Sequence, residues 1–195
     1  MNAVPIPITP KIPIKKYTAK EFFEFTKDKN ERFELIDGRI YMMASPNLNH
    51  QRVLSKIFRK LADYLDGKTC EPFIAPLDVV LFEKDKESDD SQNVFQPDVF
   101  VVCALEKISH NRINGAPDLI IEITSPSNSE TDYFYKCNAY LQYGVREYWI
   151  VDPKTKSILV YINGEKVQTF SHTFEDKIKV GIFDDFEIDF NELRI

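Results

Sequence analysis

The 195-residue sequence predicts a mixed α/β (α+β) fold in which helices flank a central mixed β-sheet. Three observations support this prediction. Residues 99–103 and 119–123 form apolar runs between turn signals, a pattern typical of strands buried on both faces. Residues 48–65 repeat apolar side chains at helical spacing. Helical and extended segments alternate along the chain, as expected when helices pack on a sheet.

The domain organisation is expected to be simple. Residues 1–16 alternate proline with isoleucine, which predicts an extended N-terminal arm. That arm is either a flexible tail or a segment packed on a second subunit. Residues 17–195 are expected to form one domain, because neither length nor composition requires two.

Local signals predict the individual elements. Thr18 and Glu21 have the spacing of a capping box, which predicts a helix from this point. Asp37-Gly38 is a strong hairpin signal, and Gly144 is a natural C-cap for a helix over residues 129–143. The remaining predictions are strands at 32–36, 39–44, 147–152, 157–162, 166–170, 178–182 and 186–189, a bent or edge strand within 70–82, a charged hairpin loop at 83–93, and a short helix or loop up to residue 115.

Composition indicates a globular protein outside the membrane. Hydrophobic residues make up 43% and charged residues 29% of the sequence, and no apolar stretch approaches the roughly 18 residues of a membrane span. The cysteines Cys70, Cys103 and Cys137 are odd in number and form no CxxC pair. We therefore expect reduced cysteines in a cytoplasmic protein. A net charge of −6 argues against bulk electrostatic binding of nucleic acid but leaves a local basic patch possible.

Glu122 is the most informative residue, because a carboxylate inside a buried strand needs a partner. Asp98 begins the other apolar run, and neighbouring strands lie about 4.8 Å apart, so the two carboxylates can share a divalent cation. Asp118 is a poor co-ligand, because four residues of strand separate it from Glu122 by about 13 Å. We interpret Asp118 as a residue that marks the start of the strand.

A lysine at position 124 would complete a Glu-x-Lys hydrolytic site, but Thr124 stands there. Lys136, on the following predicted helix, can fill this role by extending its methylenes along the buried surface. Such a lysine can orient or deprotonate an attacking water. Two structural alternatives remain: an ion pair with Glu122, or an ion pair with Asp132 on a solvated helix face.

Five blocks of the sequence resemble a known family. They are FELIDGRIYMM, SPNLNHQRV, FQPDVFVV, GAPDLIIEITSPS and KCNAYLQYGVREYWIVDP. In order and spacing they resemble the Uma-two family of endonucleases, which belongs to the PD-(D/E)xK, restriction-endonuclease-like superfamily. The resemblance covers about residues 17–165 and implies a restriction-endonuclease-like core.

The resemblance implies roles for individual residues. Pro97-Asp98 corresponds to the PD element and Glu122 to the second acidic residue, while the superfamily lysine has moved to Lys136. Glu34 corresponds to an additional acidic residue near such sites, although a half-exposed hairpin position would explain it equally well. Asp98, Glu122 and the backbone carbonyl of Ile123 are the implied ligands of Mg²⁺ or Mn²⁺. His50 lies in a block typical of the family without an implied role; the alternative is a satisfied histidine at a helix start.

The implied activity is metal-dependent hydrolysis of DNA phosphodiester bonds. DNA is then the expected substrate, and a homodimer or higher homo-oligomer is expected because superfamily members often dimerise to cut both strands. The alternative is a catalytically silent domain of the same fold that binds nucleic acid or a protein. The acidic net charge and the absence of a lysine at position 124 favour this alternative.

Overall fold

A computed structural model describes residues 15–124 and 130–193, apart from the side chains of residues 130–132. The predicted arm of residues 1–16 therefore lies outside the described residues, except for its last two positions. Within the described part, the helices are α1 (Ala19–Thr26), α2 (Leu48–Leu65) and α3 (Glu130–Gln142). The strands are β1 (Phe33–Ile36), β2 (Arg39–Met42), β3 (Glu71–Ile74), β4 (Asp78–Val80), β5 (Val94–Phe95), β6 (Val99–Val102), β7 (Arg112–Asn114), β8 (Leu119–Ile123), β9 (Glu147–Asp152), β10 (Ser157–Ile162), β11 (Gln168–Thr173), β12 (Lys177–Lys179) and β13 (Glu187–Asp189).

The strands of the described residues form three sheets. The largest has six strands in the order β11-β10-β9-β8-β6-β3, and the second has five in the order β2-β1-β5-β4-β7. β12 and β13 form a small third sheet. Both larger sheets are mixed, because β8 pairs with β9 and β4 pairs with β7 in parallel, whereas their other neighbours are antiparallel. The predicted mixed α/β class is confirmed.

Local chemistry explains where the N-terminal elements begin and turn. Thr18 and Glu21 form the predicted capping box at the start of α1. Asp37 and Gly38 have φ values of 46° and 72°, the left-handed geometry that a two-residue hairpin requires. A Cβ at Gly38 would also come within 2.8 Å of the Lys16 side chain. Glycine is therefore needed at this turn for both backbone conformation and space.

The central strands β6 and β8 of the six-stranded sheet are covered on both faces, as their apolar residues require. The buried stripe of α2 packs against one face of β6 and β8, and Ala139 and Tyr140 of α3 pack against the opposite face. Because side chains alternate along a strand, Glu122 shares the α3 side with Ile120. The sheet and α3 therefore enclose Glu122 between them.

Two of the connections that carry the chain between the large sheets lie side by side. One joins β3 to β4 through Ala75 and Pro76, and the other joins β5 to β6 through Gln96 and Asp98. The backbone N–H of Ala75 donates to the carbonyl of Asp98 at 3.2 Å, which ties the two connections together. Asp98 thus lies where the two sheets meet.

Two expectations about this part of the chain need correction. The segment before Gly115 was expected to be a short helix or loop, yet it contains β7, a three-residue strand held in parallel by β4. Cys70 and Cys103 were expected to be reduced, but they form a disulfide, and Cys137 is the free cysteine. The register of β3 and β6 pairs Glu71 with Val102, so Cys70 and Cys103, the next residues along the two chains, face each other. The cysteines therefore do not support the expected cytoplasmic location.

Candidate active site

The register of β6 and β8 brings two predicted site residues together. These antiparallel strands pair Val99 with Ile121, and one further step places Asp98 opposite Glu122. The backbone N–H of Ile123 donates to Oδ2 of Asp98 at 2.8 Å. Asp118 lies at the other end of β8, where its carboxylate accepts from the backbone N–H of Cys103 at 2.8 Å. Asp118 therefore has the strand-start position expected of it.

Glu122 is buried and hydrogen bonded by two side chains of α3. Glu122 is 5% exposed to solvent. Lys136 Nζ donates to Glu122 Oε1 at 3.1 Å, and the Tyr140 hydroxyl donates to the same oxygen at 2.7 Å. Lys136 and Tyr140 are one helical turn apart, so a single face of α3 supplies both donors.

Lys136 also links the two large sheets. Its ammonium donates to Glu34 Oε1 at 2.9 Å, and that oxygen also accepts from the backbone N–H of Gln96 at 2.9 Å. Glu34 belongs to β1 and is 4% exposed, so the half-exposed alternative for this position is wrong. Lys136 is 7% exposed, which likewise excludes the solvated-face alternative. The side chain of Asp132, its partner in that alternative, lies outside the described residues.

His50 joins the cluster through Asp98. His50 lies in the first turn of α2, whose N-cap is Asn47, and is 6% exposed. Its Nε2 lies 3.0 Å from Asp98 Oδ2. Because an ionised carboxylate only accepts hydrogen bonds, this contact requires the proton on Nε2. Nδ1 is buried without a partner in the described structure. His50 is thus a capped helix-start histidine with one ring nitrogen satisfied by Asp98, and the alternative of a satisfied histidine holds for Nε2 but not for Nδ1.

The cluster holds more negative than positive charge. With all three carboxylates ionised and the imidazole neutral, the Lys136 ammonium leaves a formal charge of −2, and protonation of Glu122 reduces it to −1. Burial raises the pKa of Glu122 to about 7, with Lys136 opposing the shift and the other two carboxylates adding to it. Burial alone would lower the pKa of Lys136, but Glu122 and Glu34 outweigh it and raise that pKa. Lys136 therefore stays protonated at neutral pH.

Sequence patterns did not reveal the role of Tyr140. Tyr140 is fully buried, and its ring packs against Phe95 and Tyr148. Its hydroxyl nevertheless binds Glu122, and burial raises its pKa well above the usual value, so it remains a donor. The available signal was its spacing of four residues from Lys136. The backbone N–H of Thr124 donates to the carbonyl of Val151 at 2.8 Å, which continues the pairing of β8 with β9.

The cluster is reached through a pocket of about 200 Å³. Glu34, Asp98, Glu122 and Lys136 line it together with apolar and polar residues of the β1–β2 hairpin, the start of α2 and the end of β3. Those additional residues are Arg32, Ile36, Tyr41, Met42, Met43, Ala44, Pro46, His50, Gln51, Leu54, Ile74 and Ala75. A buried charged cluster is thus accessible to a ligand from one side.

The carboxylate oxygens that line this pocket are suitable ligands for the expected Mg²⁺ or Mn²⁺. Among the residues that the structure describes, no three His, Cys, Asp or Glu side chains are grouped closely enough to hold a metal. Mg²⁺, however, is usually held by one or two carboxylates while waters and substrate phosphates complete its shell. Asp98 and Glu122 supply two such carboxylates, and the excess negative charge of the cluster favours a cation. Ligation by these residues and by the Ile123 carbonyl remains a prediction.

Comparison with known proteins assigns the chain to a family. The Uma2 (Uma-two) family model, described as "Putative restriction endonuclease", matches residues 19–191. The chain belongs to the Uma2 family. The resemblance carried by the five sequence blocks is confirmed, and the match extends beyond residue 165 into the C-terminal strands.

Curated relatives of this Uma2 chain come from a cyanobacterium. It is 25% identical over 154 residues to uncharacterized protein slr1290 of Synechocystis sp., covering 78% of this chain and 77% of that protein. It is 27% identical over 138 residues to uncharacterized protein sll1609 of the same organism, covering 69% of this chain and 74% of the relative. Neither name states an activity.

A solved structure shares the fold of this Uma2 chain. A protein from Anabaena variabilis, described as "a putative nuclease belonging to DUF820", superposes with a TM-score of 0.72. The match covers 90% of this chain and 96% of that protein at 20% sequence identity. The likeness supports the predicted nuclease-like core. Among the described residues, no helix combines the length and apolar character needed to span a membrane.

Proposed function

We propose that this Uma2 chain is a divalent-metal-dependent nuclease that hydrolyses DNA phosphodiester bonds. The observation that supports this most strongly is the buried cluster of Glu34, Asp98, Glu122 and Lys136 beside an open pocket. Buried ionisable groups with perturbed pKa values that line a pocket are typical of active sites. The family description and the fold of the solved neighbour point to the same class of activity.

In this proposal Asp98 and Glu122, with the Ile123 carbonyl, hold Mg²⁺ or Mn²⁺. Such an ion polarises a phosphate and lowers the pKa of a bound water. His50 and the Ile123 amide fix the orientation of Asp98, while Tyr140 and Lys136 fix that of Glu122. These contacts keep both carboxylates in place before a cation arrives.

Lys136 acts as a fixed positive charge and not as a base. Its raised pKa keeps it protonated at neutral pH, so it cannot take a proton from water there. An ammonium with three N–H donors can hold Glu34 and Glu122 and still present a donor to a water or phosphate oxygen. Of the two roles expected from sequence, orientation of the water is the one we retain.

Cleavage of DNA by matched variants tests the proposal. The purified chain should cleave plasmid DNA with Mg²⁺ or Mn²⁺ and not with EDTA. Asp98→Asn should abolish this activity, because it removes a charged metal ligand while preserving shape. Glu71→Gln is the matched control, since Glu71 is an exposed carboxylate at the far end of edge strand β3. Equal cleavage by Asp98→Asn and the unsubstituted chain would contradict the proposal.

A second function, a catalytically silent binding domain, is supported by one observation. The Lys136 ammonium already lies within 3.1 Å of Glu122 and 2.9 Å of Glu34, so part of the negative charge is neutralised without a metal. Calorimetry with Mn²⁺ separates the two functions. A nuclease should bind Mn²⁺ in a manner that depends on Asp98, whereas a silent domain should show no such dependence.

A further inference from the structure

Arg32 lies at the wall of the pocket, two residues before Glu34. Because side chains alternate along an extended chain, Arg32, Glu34 and Ile36 lie on one face of the hairpin, and all three line the pocket. The backbone N–H of Met43 donates to the Arg32 carbonyl at 2.8 Å, which extends the hairpin to this residue. Arg32 is therefore held by backbone pairing next to the carboxylate cluster.

The guanidinium of Arg32 has few partners within the described structure. Its Nη2 donates to the Met43 sulfur at 3.5 Å, and a thioether is a weak acceptor. Its Nε is buried and makes no hydrogen bond. Arg112, the other half-buried arginine of the described residues, is paired with a carboxylate, that of Asp89, at 3.0 Å. The described residues offer Arg32 no carboxylate within ion-pair distance.

These unused donors indicate the chemistry of the missing partner. A guanidinium presents five N–H groups in a planar fork that matches the oxygens of a carboxylate or a phosphate. The partner must reach the pocket from solvent and carry negative charge to approach this cation. Two residues of strand span about 7 Å, so an anion on Arg32 would lie beside Glu34 without displacing the Lys136 contact.

We propose that Arg32 binds a nonbridging phosphate oxygen of the DNA strand that enters the pocket. This inference rests on the proposed nuclease function and adds a phosphate-binding residue to it. Arg32 then anchors the backbone of the strand while the carboxylate cluster lies beside the bond to be cleaved. A phosphate contact carries no base information, so the anchor should act on every DNA sequence equally.

The competing explanation is that Arg32 only offsets the negative charge of the cluster. A counter-ion would change the affinity for Mn²⁺ and the stability of the fold but would not contact DNA. A phosphate contact has a distinct signature, because each neutralised phosphate adds about 0.9 for duplex or 0.7 for single-stranded DNA to the slope of log affinity against log salt.

The test measures binding of fluorescein-labelled duplex and single-stranded DNA by anisotropy over a range of salt concentrations. All proteins carry Asp98→Asn so that the DNA is not consumed. Arg32→Gln is compared with Arg39→Gln, which removes the same charge from an exposed position on the same hairpin that does not line the pocket. Arg32→Lys keeps the charge but loses the planar fork.

We expect Arg32→Gln to weaken DNA binding about tenfold and to reduce the salt slope by about 0.9 on duplex or 0.7 on single-stranded DNA. Arg32→Lys should retain most of the salt slope, and Arg39→Gln should retain both slope and affinity. Thermal unfolding of each variant checks that the fold is intact. A folded Arg32→Gln variant with an unchanged slope would overturn the proposal, whether or not Mn²⁺ binding changes.

The outcome is separable from that of the nuclease proposal. If the unsubstituted chain cleaves DNA while Arg32→Gln leaves the salt slope unchanged, only the anchor is wrong. If no cleavage occurs but the slope falls as expected, Arg32 binds phosphate in a domain that binds DNA without cleaving it. If neither the Asp98→Asn protein nor the unsubstituted chain binds DNA, the proposal that Arg32 binds a DNA phosphate is wrong.

Discussion

Glu122 and Glu147 are buried glutamates on neighbouring parallel strands, yet their surroundings differ. Glu122 is 5% exposed and Glu147 is 1% exposed, and burial raises the pKa of both carboxyls. Glu147 accepts from the Trp149 indole N–H at 2.7 Å and from the backbone N–H of Ile182 at 2.9 Å. Its close donors are therefore neutral groups, whereas Glu122 is held by an ammonium and lies among other carboxylates.

The difference shows that burial alone does not identify a functional carboxylate. The register pairs Leu119 with Glu147, which places Glu147 at the opposite end of the paired strands from Glu122. Glu147 is not among the residues that line the pocket, and its two oxygens are used to connect β9 to the segment around residue 182. Charged neighbours and access from solvent, and not a raised pKa, distinguish Glu122.

Cleavage should show the largest difference between the two glutamates. Glu122→Gln should lower metal-dependent DNA cleavage by at least about 100-fold, because loss of residues that merely support a metal ligand already costs 10–100-fold. Glu147→Gln should cleave at the native rate when measured below its unfolding temperature. The measurement is the initial rate of plasmid nicking with Mn²⁺. Similar losses in both variants would remove the functional distinction between them.

Lys136→Met should cause the second largest effect, in stability. Removal of one partner from a buried ion pair typically costs about 3–5 kcal/mol, because the remaining charge is left buried and uncompensated. Lys60→Met is the control, since Lys60 forms an exposed pair with Glu192 at 3.2 Å, and such pairs contribute at most about 1 kcal/mol. Urea unfolding in EDTA, followed by circular dichroism, measures both. Equal losses would show that the buried cluster depends little on its cation.

Glu147→Gln should have a smaller effect on stability. Both carboxylate oxygens accept hydrogen bonds from N–H donors. In the glutamine variant an NH₂ group replaces one of these oxygens, so two hydrogen-bond donors face each other. An unsatisfied buried hydrogen-bonding group costs about 1–3 kcal/mol. The fluorescence of Trp149, the single tryptophan of the sequence, should change with its partner. An unchanged unfolding free energy would show that the site adapts to the amide.

The final expected effect is a difference in the pH dependence of stability. The pKa of Glu122 is raised from 4.5 to about 7, so the folded chain binds this proton more tightly than the unfolded chain. The metal-free protein should therefore lose unfolding free energy as the pH rises through that window. Glu122→Gln should flatten this decline, while the contribution of Glu147 remains in both proteins. A steeper decline in the variant would contradict the raised pKa.

Local chemistry made much of the fold predictable. Thr18, Asp37 and Gly38 act through contacts within a few residues, so their sequence signals are sufficient. The apolar run around Glu122 indicated a strand buried on both faces, and β8 is buried at every position. The need for a charged partner at Glu122 also followed from burial alone, and Lys136 from the next helix meets that need.

The remaining features depend on pairings between distant segments. Glu34 is buried because β1 lies beside β5 and Lys136 reaches it from 102 residues away, which the alternation of a hairpin cannot reveal. Cys70 and Cys103 are joined because β3 and β6 align, although 33 residues separate them in sequence. Contacts of this kind follow from the sheet order, and local sequence patterns do not specify that order.

The central claim is that the cluster around Glu122 is a metal site, and a crystal soaked in Mn²⁺ tests it most directly. We predict an anomalous peak about 2.1 Å from a carboxylate oxygen of both Asp98 and Glu122, with Lys136 still beside Glu34. Glu147 should show no such peak. Saturating Mn²⁺ with no peak at Asp98 and Glu122 would contradict the account.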